Sequence, residues 1–208
     1  MPAKNENLHG NAPDKSPAAL VLIDVINDCE FEGGAELFAQ AEPIIPRLAA
    51  LKRAARAAGI PVVYVNDNFG KWQSDFQKLV DHCLHDDVRG RPMAEALAPA
   101  ADDYFVLKPK HSGFFSTTLD VLLEHLGVET LILAGIAGNI CVLFTAHDAH
   151  MRDFQLYVPE DCVASASAAL NRQALDHMRA VLKADTAPSA KLDLRRLARR
   201  AVREAGAA

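Results

Sequence analysis

Short apolar runs of strand length recur along the chain with helix-length stretches between them, and this alternation constrains the fold more than any other feature. AALVLIDV at 18–25, PVVYV at 61–65, YFVL at 104–107, TLILA at 130–134 and LYV at 156–158 are too short for globular helices and read as buried strands. Helical periodicity spans Ala41 to Ala58, where Leu48, Leu51 and Ala55 share a face, Pro43 and Pro46 stand near the start and Gly59 stops the helix. Asn27 to Gly34 reads as a turn-prone segment. Between Asp75 and Ala98 the pattern is broken by Gly90 and Pro92 and predicts one or two short helices. Further helices are expected at Thr117 to Leu126, Asn139 to Arg152 and about Ala168 to Lys183.

Strands that alternate with helices imply parallel β-α units with both sheet faces covered. The predicted fold is therefore α/β: a Rossmann-like, doubly wound, mainly parallel sheet flanked by helices on both faces, in one domain. At 208 residues the chain can bury a sizeable core. Its polar first residues, 1–17, read as a disordered lead, residues 18–190 as the domain, and 191–208 as a basic C-terminal helical extension. That extension carries six cations against two anions, and Leu194, Leu197, Ala198, Ala201 and Val202 recur at helical spacing. Either it is a solvated end, or its apolar stripe packs on another subunit.

Charge and hydropathy narrow the function. The net charge of -5 gives the body no general attraction for phosphate, so no nucleic acid and no membrane surface is expected as partner. No apolar run approaches the ~20 residues of a membrane span, and the lead lacks the apolar stretch of a signal peptide. A cytoplasmic location follows, with the four cysteines as free thiols.

In open parallel sheets the ligand crevice lies outside the carboxyl ends of the strands. Asp24 ends the first strand, Lys108 ends YFVL, and Cys141 follows TLILA through the loop 135–139. With Asn139 as N-cap, Cys141 falls in the first helical turn, where the helix dipole and a nearby cation favour a thiolate. An isolated Cys is more often a small buried hydrophobe. Only Cys141 has the strand-loop-helix setting, which Cys83 and Cys162 lack, and Cys29 is expected to line the crevice because its loop leaves Asp24.

LVLIDVIND, VLKPKHSGFFSTTL and LAGIAGNICVLFTAHDA resemble, in order and separation, the three sequence blocks of the isochorismatase-like cysteine hydrolases. These include nicotinamidases, N-carbamoylsarcosine amidohydrolases and ureidoacrylate amidohydrolases. The resemblance covers about residues 18 to 190. It implies a catalytic set of Asp24 as general base, Lys108 as charge partner and Cys141 as nucleophile, acting on a small amide, carbamoyl or ureido substrate through a thioester. It also implies a cis peptide between Ile136 and Ala137, an oxyanion hole made by the N–H groups of Ala137 and Cys141, no cofactor, and a homo-oligomer, dimer or tetramer.

Departures from the family pattern bear on the pocket. Many relatives have Gln and Phe where this chain has Ile26 and Cys29, and an aromatic where His111 stands. Nicotinamidases carry a metal-binding Asp-x-His, but here Asn66, Asp67, Asn68 and Phe69 follow the second strand, so Phe69 takes the first histidine position and no catalytic metal is expected. Asp67 either caps a turn or touches substrate. Phe69 and Trp72 either wall the pocket or pack ordinarily. His82 and His85 could share a helix face near Cys83, but two His and a Cys more often form a solvated face than a metal site. Two other readings remain on sequence grounds: vinyl ether hydrolysis of the isochorismatase type, which needs no thiol, and a non-catalytic binding or scaffold protein that retains the fold.

Overall fold

The computed structural model describes residues 15–69 and 75–199. In chain order the elements are β1 (Ala18–Ile23), α1 (Gly34–Ala41), α2 (Ile45–Ala57), β2 (Val62–Asp67), α3 (Phe76–His85), α4 (Arg91–Ala96) and β3 (Tyr104–Lys108). There follow α5 (Leu119–Leu126), β4 (Thr130–Ile136), a π-helical turn (Gly138–Val142), α6 (Leu143–His150), β5 (Gln155–Tyr157), β6 (Val163–Ala164), α7 (Ala168–Ala180) and α8 (Leu194–Arg199).

The strands form one parallel sheet in the order β3-β2-β1-β4-β5, with β6 extending the pairing of β4. The expected doubly wound fold is thus present. Strand β1 is fully buried, and its alternate residues enter two separate cores. Ala18, Leu20 and Leu22 join α1, α2, α3 and α4 on one face, while Ala19, Val21 and Ile23 join α5, α6 and α7 on the other. Each such Leu or Ile contributes about 1.5–3 kcal/mol by leaving water.

Helix α1 fills the stretch between the turn expected at 27–34 and the helix expected from Ala41, where no element was predicted. Gly33, at φ 82, turns the chain into it, and Pro43 and Pro46 then restart the helix, so the predicted single span 41–58 is split by a short 3-10 segment at Glu42–Ile44. The face of Leu48, Leu51 and Ala55 is buried as its spacing implies. Other bounds shift by a few residues: α5 begins at Leu119, α7 ends at Ala180, and β5 covers Gln155–Tyr157.

Both ends differ from expectation. Of the lead read as 1–17, the last residues pack on the domain: Ser16 is buried and donates its N–H to the Leu126 carbonyl, and the Pro17 carbonyl accepts from Glu129 and Thr130. Residues 1–14 lie outside the described part. In α8, Leu194 and Leu197 are buried in the core layer of their own chain, with Ala198 packed against it, so this part of the stripe packs within the chain. Ala201 and Val202 lie outside the described residues. Among those described, no helix is long and apolar enough to cross a membrane.

Candidate active site

Strand order determines where the crevice opens. The chain passes from β1 to β2 on one side, while β4 pairs β1 on the other, so the ends of β1 and β4 flank the switch point where α/β sheets bind ligands. Asp24 leaves β1 there with φ 51, its N–H bonded to the Val65 carbonyl at 2.9 Å. Gly135, near the end of β4, has φ 123, and a Cβ there would lie 2.1 Å from the Ile23 carbonyl oxygen, so only glycine permits this approach of the two strands.

Lys108 comes from β3, beyond β2, and its fully buried side chain reaches across. Its Nζ lies 2.9 Å from Asp24 Oδ2, 3.4 Å from Cys141 Sγ and 3.5 Å from Asp67 Oδ2. Asp24 Oδ1 accepts the Asp67 N–H at 2.7 Å, and the Asp24 carboxyl and the Cys141 thiol act on each other's ionisation. The structure therefore brings Asp24, Lys108 and Cys141 together.

Electrostatics differ from the sequence expectation for the thiol. Burial pushes Cys141 up to about 12, the Asp24 charge pushes the same way, and Lys108 opposes both. The resting group is a thiol rather than a thiolate. Burial also raises the Asp24 carboxyl above its ordinary range against the pull of Lys108, and so makes it a better acceptor for that thiol proton. For Lys108 burial favours the neutral amine, but Asp24, Cys141 and Asp67 outweigh it and hold the cation.

The loop before Cys141 is held from two sides. The Ile136–Ala137 peptide is cis, as the resemblance implies. Asn139 does not cap the helix: Ala137 occupies the cap position without a side-chain bond, and Asn139 Oδ1 is buried with no partner among the described residues. Instead the Asn139 N–H donates to Ser165 Oγ at 3.0 Å, and Ser165 in turn donates to Asn171 Oδ1. A Cβ on Gly138 would stand 2.6 Å from both Asn171 Oδ1 and Val163 Cγ1, so glycine is what lets the turn sit against α7 and β6. The Ile140 and Val142 N–H groups both donate to the Ala137 carbonyl. The N–H groups of Ala137 and Cys141 belong to this same opening turn, where a helix leaves its first donors without internal partners.

The pocket candidates separate. Cys29 is fully buried in a core layer and does not line the crevice; its loop enters the interior before turning into α1. Asp67 caps a turn, its Oδ1 accepting the Phe69 N–H at 2.6 Å, while Oδ2 faces Lys108. Phe69 is exposed at φ 53, and the exposed His111 ring packs 5.4 Å from Phe144, one helical turn after Cys141. Trp72 lies outside the described residues. His82 is engaged with Asp28 and Asp86, His85 with the Asp81 carbonyl, and Cys83 is buried away from both. Among the described residues no group of three or more His, Cys, Asp or Glu could hold a metal ion.

Several contacts near the site escaped the sequence reading. Ser112 and Gly113, in the loop after Lys108, hydrogen-bond Asp148 and Thr145 of α6, and Ser165 holds the Cys141 loop. Ser112, Gly113, Thr145 and Asp148 were marked in the sequence only as members of the blocks around Lys108 and Cys141, and Ser165 lies in neither block.

A doubly wound sheet with an acid, a lysine and a cysteine converging at its switch point is the arrangement to compare with known proteins. The Isochorismatase domain family matches residues 18–187. An uncharacterized isochorismatase family protein, YaaI of Bacillus subtilis, is 43% identical over 171 residues, covering 82% of this chain and 93% of that protein. The ureidoacrylate amidohydrolase RutB of Methylorubrum extorquens is 30% identical, covering 74% of this chain and 71% of that one. Among solved structures, N-carbamoylsarcosine amidase from Thermoplasma acidophilum superimposes with a TM-score of 0.64 at 26% identity, over 85% of this chain and 98% of that chain. The chain belongs to the isochorismatase family of hydrolases.

Proposed function

We propose that the protein is a metal-independent cysteine hydrolase of a small amide, carbamoyl or ureido compound, acting through a Cys141 thioester. The observation that carries this reading is Lys108 Nζ lying 2.9 Å from Asp24 Oδ2 and 3.4 Å from Cys141 Sγ. The relatives named for ureidoacrylate and N-carbamoylsarcosine support the substrate class.

Asp24 takes the Cys141 proton as Sγ attacks the carbonyl carbon, and Lys108 offsets the negative charge that develops on sulfur. The carbonyl oxygen becomes an oxyanion that accepts hydrogen bonds from the N–H groups of Ala137 and Cys141. Protonated Asp24 gives its proton to the leaving nitrogen, and ammonia or an amine departs. Asp24 then takes a proton from water as the water oxygen attacks the thioester. Collapse of that second intermediate releases the acid and returns the proton to Cys141. The rings of Phe69, His111 and Phe144 supply an apolar rim for the substrate.

A panel of small amides, carbamates and ureides assayed for ammonia release tests this, with Cys141→Ala as control and an intact-mass search for the acyl-enzyme. Expected are turnover that survives prolonged chelation, its loss in Cys141→Ala, and an adduct on Cys141. Turnover retained by Cys141→Ala, or cleavage of a vinyl ether without any adduct, would overturn the reading.

A further inference from the structure

We infer that Thr145 is a positioning residue for Cys141, sharing one oxygen atom between the Cys141 carbonyl and the loop that follows Lys108. The inference rests on Cys141 being the nucleophile. Thr145 is fully buried in α6. Its Oγ1 donates to the Cys141 carbonyl at 2.7 Å and accepts the Gly113 N–H at 3.0 Å.

Back-bonding of a helical Thr to a carbonyl four residues earlier is common and by itself implies nothing. The second bond is different, because Gly113 is 32 residues away in sequence and belongs to the segment that leaves β3 directly after Lys108. That segment is packed too closely to drift. A Cβ on Gly113 would meet Val65 Cγ1 at 2.9 Å, Leu119 Cδ2 at 3.1 Å and Thr145 Cγ2 at 3.5 Å. One turn further along α6, Asp148 accepts from Ser112 Oγ, which itself accepts the Phe114 N–H at 3.1 Å. Two residues on one helix face therefore hold the consecutive residues 112 and 113.

The consequence is geometric. Lys108 and Cys141 stand on β3 and beyond β4, which do not touch each other in the sheet, since β2 and β1 lie between them. Their 3.4 Å approach depends on how the segments behind them are joined, and Thr145 Oγ1 joins them directly. A hydroxyl can serve because it donates one bond and accepts another; a methyl can do neither.

Thr145→Val keeps the shape and removes both bonds, whereas Thr145→Ser keeps both. Iodoacetamide labelling of Cys141, followed by peptide mapping between pH 6 and 10, reads its relation to Lys108 without any knowledge of substrate. Expected for Thr145→Val is a labelling rate at least tenfold lower at pH 8 with the profile displaced to higher pH, and a kcat reduced at least tenfold with KM changed less than threefold. Thr145→Ser should lie within threefold of the parent protein on both measures. A folded Thr145→Val with the parent labelling profile, or a Thr145→Ser as impaired as Thr145→Val, would overturn the inference. Should Thr145→Val fail to fold, Ser112→Ala removes the neighbouring bond, with a threefold or greater loss of labelling expected and an unchanged profile counting against the inference. Hydrolysis that persists in Cys141→Ala would instead remove the nucleophile reading, and it is measured separately from the labelling.

Discussion

His82 Nε2 stands 3.2 Å from Asp28 Oδ2, and this contact ties α3 to the loop that leaves Asp24. The other ring nitrogen meets Asp86 Oδ2 at 2.6 Å. The hydrogen bond to Asp86 is the chief cause that raises His82 above its ordinary value, with burial opposing and Asp28 adding to the rise. A raised folded-state value means the imidazolium favours the folded chain. The stability it adds is complete below the unfolded value of about 6.5 and is lost as pH rises through the folded value. His82→Gln should therefore lower the thermal midpoint at pH 5.5 more than at pH 8.5, and a melt series over pH 5–9 checks the sign.

Thiol labelling should follow accessibility. Burial pushes Cys29, Cys83, Cys141 and Cys162 alike up to about 12, yet Cys141 alone is partly exposed. Cys141 should be alkylated first, with a rate that climbs roughly tenfold per pH unit across pH 7–9 because only the thiolate reacts. The other three should label only on unfolding. Quantified peptide maps at several pH values decide this.

Removing Lys108 leaves the Asp24 carboxylate buried without its cation. Lys108→Met should abolish turnover and cost about 3 kcal/mol of stability, as expected for breaking one side of a buried pair. Asp24→Asn in the same chain should recover much of the stability and none of the activity. Urea midpoints of the two single variants and the double variant measure the coupling.

The C-terminal segment should matter within one chain. Leu197 is 3% exposed, so Leu197→Ala should cost about 2–4 kcal/mol by opening a cavity. Denaturant unfolding of this variant, at unchanged oligomer mass by light scattering, checks that the loss is intramolecular.

How much was legible in the sequence depended on whether a local pattern or a distant contact decided the outcome. Strand β1 and the face of Leu48, Leu51 and Ala55 carry their burial in periodicity, and Asp24, Lys108 and Cys141 are placed by strand ends. Helix α1 was hidden because a glycine at φ 82 opens it and two prolines close behind it restart the helix. The cap role expected of Asn139 failed because the helical turn opens at Gly138, with Ala137 at the cap position, which puts Asn139 inside the first turn, its N–H held by Ser165, 26 residues away. Cys29 looked like a crevice residue from its neighbour Asp24, but nothing local reveals that the loop turns inward. The ionisation of Cys141 likewise depends on burial, which no motif encodes.

Among the described residues, strand β3 is joined to the sheet by a single ladder, to β2, whereas β1 and β4, which lead to Asp24 and Cys141, are each paired on both sides. Outer ladders open at lower free energy than inner ones. The cation of the trio thus rides on an edge strand of the sheet, while its two partners follow strands in the middle. Heating should then silence the site by losing its lysine a few degrees before the chain melts as a whole, so that the working range of this fold is bounded by its margin rather than its centre.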